Sequence, residues 1–154
     1  MNYGTVASIY LAPSAGAPMK HTVEAVAVVN QGLRGDRYCE GLGSFNKGSV
    51  GSRQVTLINA RFLTLEQPFR GGHTRRNIVT SGVELMWLIG RTFQIGDAEM
   101  LGIKYCDPCQ RPSKLSGFPD FEKLFEDGGG LVAAVTKNGM IRIGDKIIPP
   151  PKGY

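Results

Sequence analysis

Apolar and polar positions along this chain alternate in short bursts and rarely hold a helical period. Thr5 to Leu11 alternates as a strand, and Pro13 to Pro18 follows as a Pro/Gly loop. Val23 to Val29, rich in Val and Ala, predicts a buried strand, which Gly32 and Gly35 end. Gly41 to Gly51 is Gly/Ser-rich without apolar periodicity and reads as a mobile loop able to close over a site. Arg53 to Ile58 alternates again. Asn59 is placed to cap a short helix through Glu66 that Pro68 stops, and Asn77 to Thr80 predicts another short strand. From Gly82 to Ile89 the spacing of Val83, Met86, Trp87 and Leu88 is helical, with Trp87 on the apolar face.

Tight turns fill the C-terminal half. Ile95-Gly96-Asp97 recurs as Ile143-Gly144-Asp145, and Gly-Asp suits the centre of a hairpin. Pro119 to Phe125 predicts a short helix. Asn138-Gly139 is the strongest hairpin signal, expected to pair Leu131–Thr136 with Ile141–Ile143. Many short strands, tight turns and a few small helices predict a mainly β fold, a closed or nearly closed barrel. With 154 residues the chain is expected to form one domain, 1–154, with its own core.

Charge narrows the partners. The net charge is +5, and residues 41 to 83 hold Lys47, Arg53, Arg61, Arg70, Arg75 and Arg76 against Glu66 alone. Arginine forks match phosphate geometry, so this patch points to a small anionic ligand or to a solvated face. No nucleic-acid motif accompanies it, and Lys47-Gly48-Ser49 does not fit a phosphate-cradling loop. No charge precedes Lys20 and Pro13 and Pro18 break the apolar run, which argues against an ordinary signal peptide. No apolar stretch approaches membrane-spanning length. Three cysteines do not make a complete disulfide set, and the protein is expected to be soluble and cytoplasmic, with no nucleic-acid or membrane partner.

The candidate chemistry lies in Cys106-Asp107-Pro108-Cys109. Neighbouring cations favour a thiolate, the reactive and metal-binding form, and Arg111 follows Cys109 closely. A redox dithiol of the thioredoxin type needs a helix after the second cysteine, and Pro112, Ser113 and Gly117 argue against one. Structural zinc would need four ligands, for which only Cys39, His21 and His73 remain. Strand alternation would put Arg75 and Asn77 on one face, in the same pocket as Cys109. Asp36 fits a turn anchor, and Cys106 a small inward-packing hydrophobe.

These segments together carry a resemblance. Gly32-Leu33-Arg34-Gly35-Asp36-Arg37-Tyr38, Arg53-Gln54-Val55-Thr56-Leu57-Ile58, Arg75-Arg76-Asn77-Ile78-Val79-Thr80 and Pro108-Cys109 occur in an order that resembles the MOSC domain. That is the C-terminal domain of molybdenum-cofactor sulfurases, also found in stand-alone bacterial proteins and amidoxime-reducing molybdoenzymes. The resemblance runs from Thr5 to Ile148. It implies a β-barrel that binds molybdenum cofactor (molybdopterin), with Cys109 as the catalytic residue that ligates molybdenum or carries persulfide sulfur. It assigns cofactor contacts to Arg75 and Asn77, and to Arg37 and Arg53 near the pterin phosphate. A sulfur donor or an acceptor molybdoenzyme would be the protein partner. No aminotransferase-like sulfurase domain is present in the sequence, so any sulfur transfer would be independent of pyridoxal phosphate. A molybdenum-dependent reductase of N-hydroxylated compounds and a non-catalytic pterin- or protein-binding domain are the alternatives.

Overall fold

The computed structural model describes residues 3–45, 51 and 53–150. Eleven strands account for most of the regular structure among the described residues: β1 (Gly4–Leu11), β2 (Lys20–Thr22), β3 (Glu24–Val28), β4 (Gly32–Leu33), β5 (Val55–Asn59), β6 (Ile78–Ser81), β7 (Thr92–Ile95), β8 (Ala98–Tyr105), β9 (Leu131–Lys137), β10 (Gly139–Arg142) and β11 (Lys146–Ile148). Two short helices, α1 (Arg111–Ser116) and α2 (Phe121–Leu124), interrupt the β8–β9 connection. The expected mainly β barrel is what forms. Strands run in the order β11-β7-β8-β9-β5-β6-β1, and β1 pairs back onto β11 to close a seven-stranded ring. Closure removes the open edges that a short-stranded sheet would otherwise present. β10, β3 and β4 make a separate three-stranded sheet.

Alternation explains the barrel wall. The fully buried Val6, Ile9, Leu57, Ile78, Ile95, Met100, Val135 and Ile147 meet in one apolar cluster. A second cluster lies outside it, where Phe69, Phe121 and Phe125 pack with Ile58 and Val79. Phe69 meets Phe118, Phe121 and Phe125 edge to face, which seats the helical excursion on the barrel.

β5 and β6 are parallel, in register Leu57↔Ile78 through Asn59↔Thr80, within an otherwise antiparallel barrel. Their N-terminal ends therefore lie side by side, and the residues leading into them, Arg53 and Arg75-Arg76, emerge at the same end.

Several sequence expectations are corrected. Gly96-Asp97 does turn β7 into β8, with Ile95 opposite Ala98. Asn138-Gly139 makes no ladder between β9 and β10: β10 pairs with β3, and the Asn138 carboxamide accepts from the Val29 amide at 2.6 Å. The turn signal is real, but it passes the chain from barrel to small sheet. Gly144-Asp145 likewise turns β10 towards β11 in the other sheet, with the Asp145 carboxylate accepting from the Arg142 amide at 2.8 Å. The Asn59 side chain caps nothing. It accepts from the Thr80 hydroxyl at 3.1 Å across β5–β6, and only a 3-10 turn over Ala60–Phe62 follows. Leu85–Leu88 is also a 3-10 turn, whose three-residue period buries Leu85 and Leu88 and leaves Trp87 72% exposed rather than in the core. α1 forms directly after Cys109 despite Pro112 and Gly117. Proline is tolerated in a first helical turn, and Gly117 at φ 82° ends the helix as its left-handed cap.

A cleft of arginines and one thiol

The excursion after β8 carries Cys106–Cys109 across the end where β5 and β6 begin. Its feet are tied down first. The Cys106 amide donates to the Gly130 carbonyl at 2.8 Å. Arg76, 5% exposed, spreads its guanidinium over three carbonyls: Gly129 at 2.7 Å, Thr74 at 3.1 Å and Cys106 at 3.3 Å. The same guanidinium lies over the Phe121 ring, 5.6 Å from its centroid. Burial of Arg76 is offset by hydrogen bonds and a ring face rather than by a carboxylate.

The resulting narrow cleft spans about 370 Å³ counting its open mouth. Arg37, Arg53, Arg75, Arg76 and Arg111 line it together with Cys109. Asp107 is the one acidic residue among the described lining residues, and Tyr38 and Phe45 supply aromatic surface. Of the arginines, Arg37 is neutralised locally. Asp36, fully buried, accepts from Arg37 at 3.0 Å and from the Ala12 and Tyr38 amides, as a turn anchor should. Arg37 then donates to the Arg75 carbonyl at 3.1 Å and so holds the next arginine in place.

Arg75 is the least satisfied. Its backbone sits in the left-handed region at φ 65°, a sparsely populated conformation for a residue with a Cβ. It is 8% exposed, donates to the Ala17 carbonyl, and leaves its Nε buried without a partner among the described residues. Burial, then the charges of Arg37 and Arg111, push its pKa down to about 10. Arg75, Arg76 and Arg111 have no carboxylate partner among the described residues. The cleft therefore carries surplus positive charge at low exposure, an arrangement suited to a bound anion.

Cys109 is half-buried in this cleft and all three cysteines are free. Cys106 points inward at 1% exposure, with an Arg53 guanidinium nitrogen 3.8 Å from its sulfur. Cys106 is buried outside the cleft lining while Cys109 lines it, and the two are not bonded to each other. The helix expected to be missing after Cys109 is present, so the sequence argument against a thioredoxin-type dithiol does not hold. Cys39 lies elsewhere, where burial first, then Glu40 and Asp36, raise its thiol pKa. No group of three or more His, Cys, Asp or Glu side chains gathers among the described residues, so the chain builds no metal cage of its own there.

The sequence-predicted residues thus divide. Cys109, Arg75, Arg37 and Arg53 share the cleft. Asn77 does not line it. Arg75 precedes β6 instead of lying in it, so strand alternation does not relate the two. The fully buried Asn77 carboxamide accepts from the Thr56 amide and hydroxyl at 3.1 and 3.3 Å and donates to the Tyr10 carbonyl at 3.2 Å. Of the basic patch, Arg61 pairs with Glu84 and Arg70 caps carbonyls of Thr64 and Phe69 away from the cleft. The expected Gly41–Gly51 loop lies partly outside the described residues; within them, Phe45 rests on Arg53 at 4.4 Å. Sequence reasoning gave Arg76 no role beyond the charge run and the family motif, and set Arg111 beside the Cys109 thiol without the helix that carries it. The missed signal was Pro112 and Gly117 read as breakers instead of helix ends.

Comparison with known proteins bears on this arrangement directly. The model of the family described as the MOSC domain matches residues 50–148. The chain is a member of the MOSC domain family. That family is associated with the molybdenum cofactor. No curated protein matches it in sequence. Among solved structures, the YUAD protein from Bacillus subtilis is similar with a TM-score of 0.76 at 21% identity, over 94% of each chain. YiiM from Geobacillus stearothermophilus gives a TM-score of 0.70 at 14% identity, covering 98% of this chain and 77% of that one. YiiM from Escherichia coli gives 0.65 at 18% identity, over 99% and 71%. At such identities these likenesses carry the barrel fold alone.

Proposed function

We propose that this MOSC protein binds molybdenum cofactor in the Cys109 cleft and uses that thiol either to ligate molybdenum or to carry sulfur to it. The observation that carries the reading is one half-buried thiol sharing a cleft with arginines whose charge is not neutralised, one of them with a buried, unpartnered Nε. A phosphorylated pterin with a soft metal centre matches that donor set. The fork of Arg75 and the side chains of Arg53 and Arg111 would hold the phosphate, and Cys109 would face the metal or the sulfur. The cofactor, when bound, supplies a metal able to change oxidation state and exchange an oxygen or sulfur ligand. Arg76 contributes by fixing the backbone on both sides of the excursion, so that Cys109 is presented on a stiff strap ending in Pro108.

The test is isolation from a host that makes the cofactor, followed by metal and pterin analysis of the native chain and of Cys109→Ser. Stoichiometric molybdenum and pterin, lost in Cys109→Ser, support ligation. A persulfide on Cys109 without retained metal supports sulfur carriage. Neither signal in the native chain overturns the proposal.

A further inference from the structure

The Cys109 cleft lies where the parallel strands β5 and β6 begin. A separate depression of about 580 Å³, counting its mouth, lies where they end. Asn59 closes β5 opposite Thr80 of β6, and both line this depression. Asn59 is only 7% exposed. Its carboxamide oxygen accepts from the Thr80 hydroxyl at 3.1 Å, while its nitrogen donates to no described residue. A buried amide nitrogen that lines a cavity and has nothing to donate to suits an acceptor brought by a ligand. Beyond β6, Gly82 turns the chain at φ 79°, and Glu84 then meets Arg61 at 2.6 Å in the same lining. These two side chains are 29% and 61% exposed. An ion pair so accessible adds little to the fold, so a ligand that answers both charges can open it at small cost.

We infer that this pocket binds a small zwitterion of the α-amino acid class, with Arg61 and the Asn59 amide nitrogen taking its carboxylate and Glu84 its ammonium group. Two features select that class. Arg61 and Glu84 cancel each other, so the lining holds no surplus charge to draw a simple anion or a simple cation. The donor left over at Asn59 calls for an oxygen acceptor, and a carboxylate has one oxygen for it and one for Arg61. Val83 is the one apolar side chain among the described lining residues, so recognition rests on the charged head of the ligand rather than on its side chain. None of these residues lines the Cys109 cleft, and the inference stands apart from the cofactor reading.

Nitrogen–proton correlation NMR on the isotope-labelled chain tests it, with L-serine, acetate, ethanolamine and glycerol as probes. Phosphate buffer competes for the arginine cleft, and the Asn59 side-chain and Gly82 backbone resonances report on the pocket. L-serine should shift both, and should bind about tenfold more tightly than acetate or ethanolamine, the gain of the second charge-assisted contact. Glu84→Gln should bring serine down to the level of acetate, and Arg61→Gln to that of ethanolamine. Any of three results overturns the pocket: no serine-induced shift at Asn59 up to about 50 mM, far above the dissociation constant of a useful site; acetate, ethanolamine or glycerol bound as tightly as serine; or an advantage for serine that survives both substitutions.

Discussion

Arg75 and Asn77, two positions apart, do opposite work. Arg75 holds a charge that the fold leaves unanswered, so an added anion should stabilise the protein. At a hundredfold excess over its dissociation constant, pyrophosphate should contribute about 2.7 kcal/mol, or roughly 5–10 °C in Tm for a domain of this size, by scanning calorimetry. Arg75→Gln should remove most of that shift. The pH dependence follows from the depressed pKa of about 10. Below it Arg75 is charged and can hold the anion; the part of the shift lost in Arg75→Gln should shrink as pH rises through about 10. Without anion the sign reverses. The folded chain then binds fewer protons than the unfolded one from about 10 up to the ordinary arginine range, so the native chain should gain stability over Arg75→Gln as pH rises there. Asn77 answers three groups at once, and Asn77→Ala should cost about 1–3 kcal/mol in urea unfolding by orphaning the Thr56 amide and the Tyr10 carbonyl. A variant that keeps its stability but loses the anion-induced shift would place Asn77 with the ligand instead.

At the scale of the element, short-range grammar was readable and partnership was not. The β7–β8 hairpin and the β1 strand follow from alternation and Gly-Asp chemistry within a few residues. Asn138-Gly139 obeys the same grammar, yet its strand leaves for β3, more than a hundred residues upstream, because Ala25, Ala27 and Ile141 bury a common face there. The place of Cys109 among arginines was legible because Arg111 follows it closely and the basic segments precede it. Arg76 was not, because a run of arginines looks solvated until the carbonyls that receive it are known. The excursion that presents Cys109 depends on where it rejoins the barrel. Gly130 sits at φ 110°, and a Cβ there would overlap the Leu57 carbonyl oxygen. Gly130→Ala should therefore cost at least about 1–3 kcal/mol of backbone strain, seen as a lowered Tm. It should also speed alkylation of Cys106, whose amide is bonded to the Gly130 carbonyl.

The whole molecule depends on one narrow seam. β11 has three residues, and Ile147 faces Gly4 of β1 on one side and Ile95 of β7 on the other. Ile147→Ala should destabilise the barrel by about 2–5 kcal/mol, more than a single cavity of that size would at an exposed strand, as read by the denaturant midpoint. The barrel class was foreseeable from turn density, but the seam was not, since it joins residues at opposite ends of the sequence. The seam also sets an order of events. On a ribosome, β1 emerges early and finds β2 at Ile9–Leu11 and then β6, but the partner of Gly4 and Thr5 is made more than 130 residues later. Until then the start of β1 is an unpaired edge, and the parallel β5–β6 pair adds a further non-local step, so refolding should be slow and sensitive to concentration compared with a helical chain of the same length.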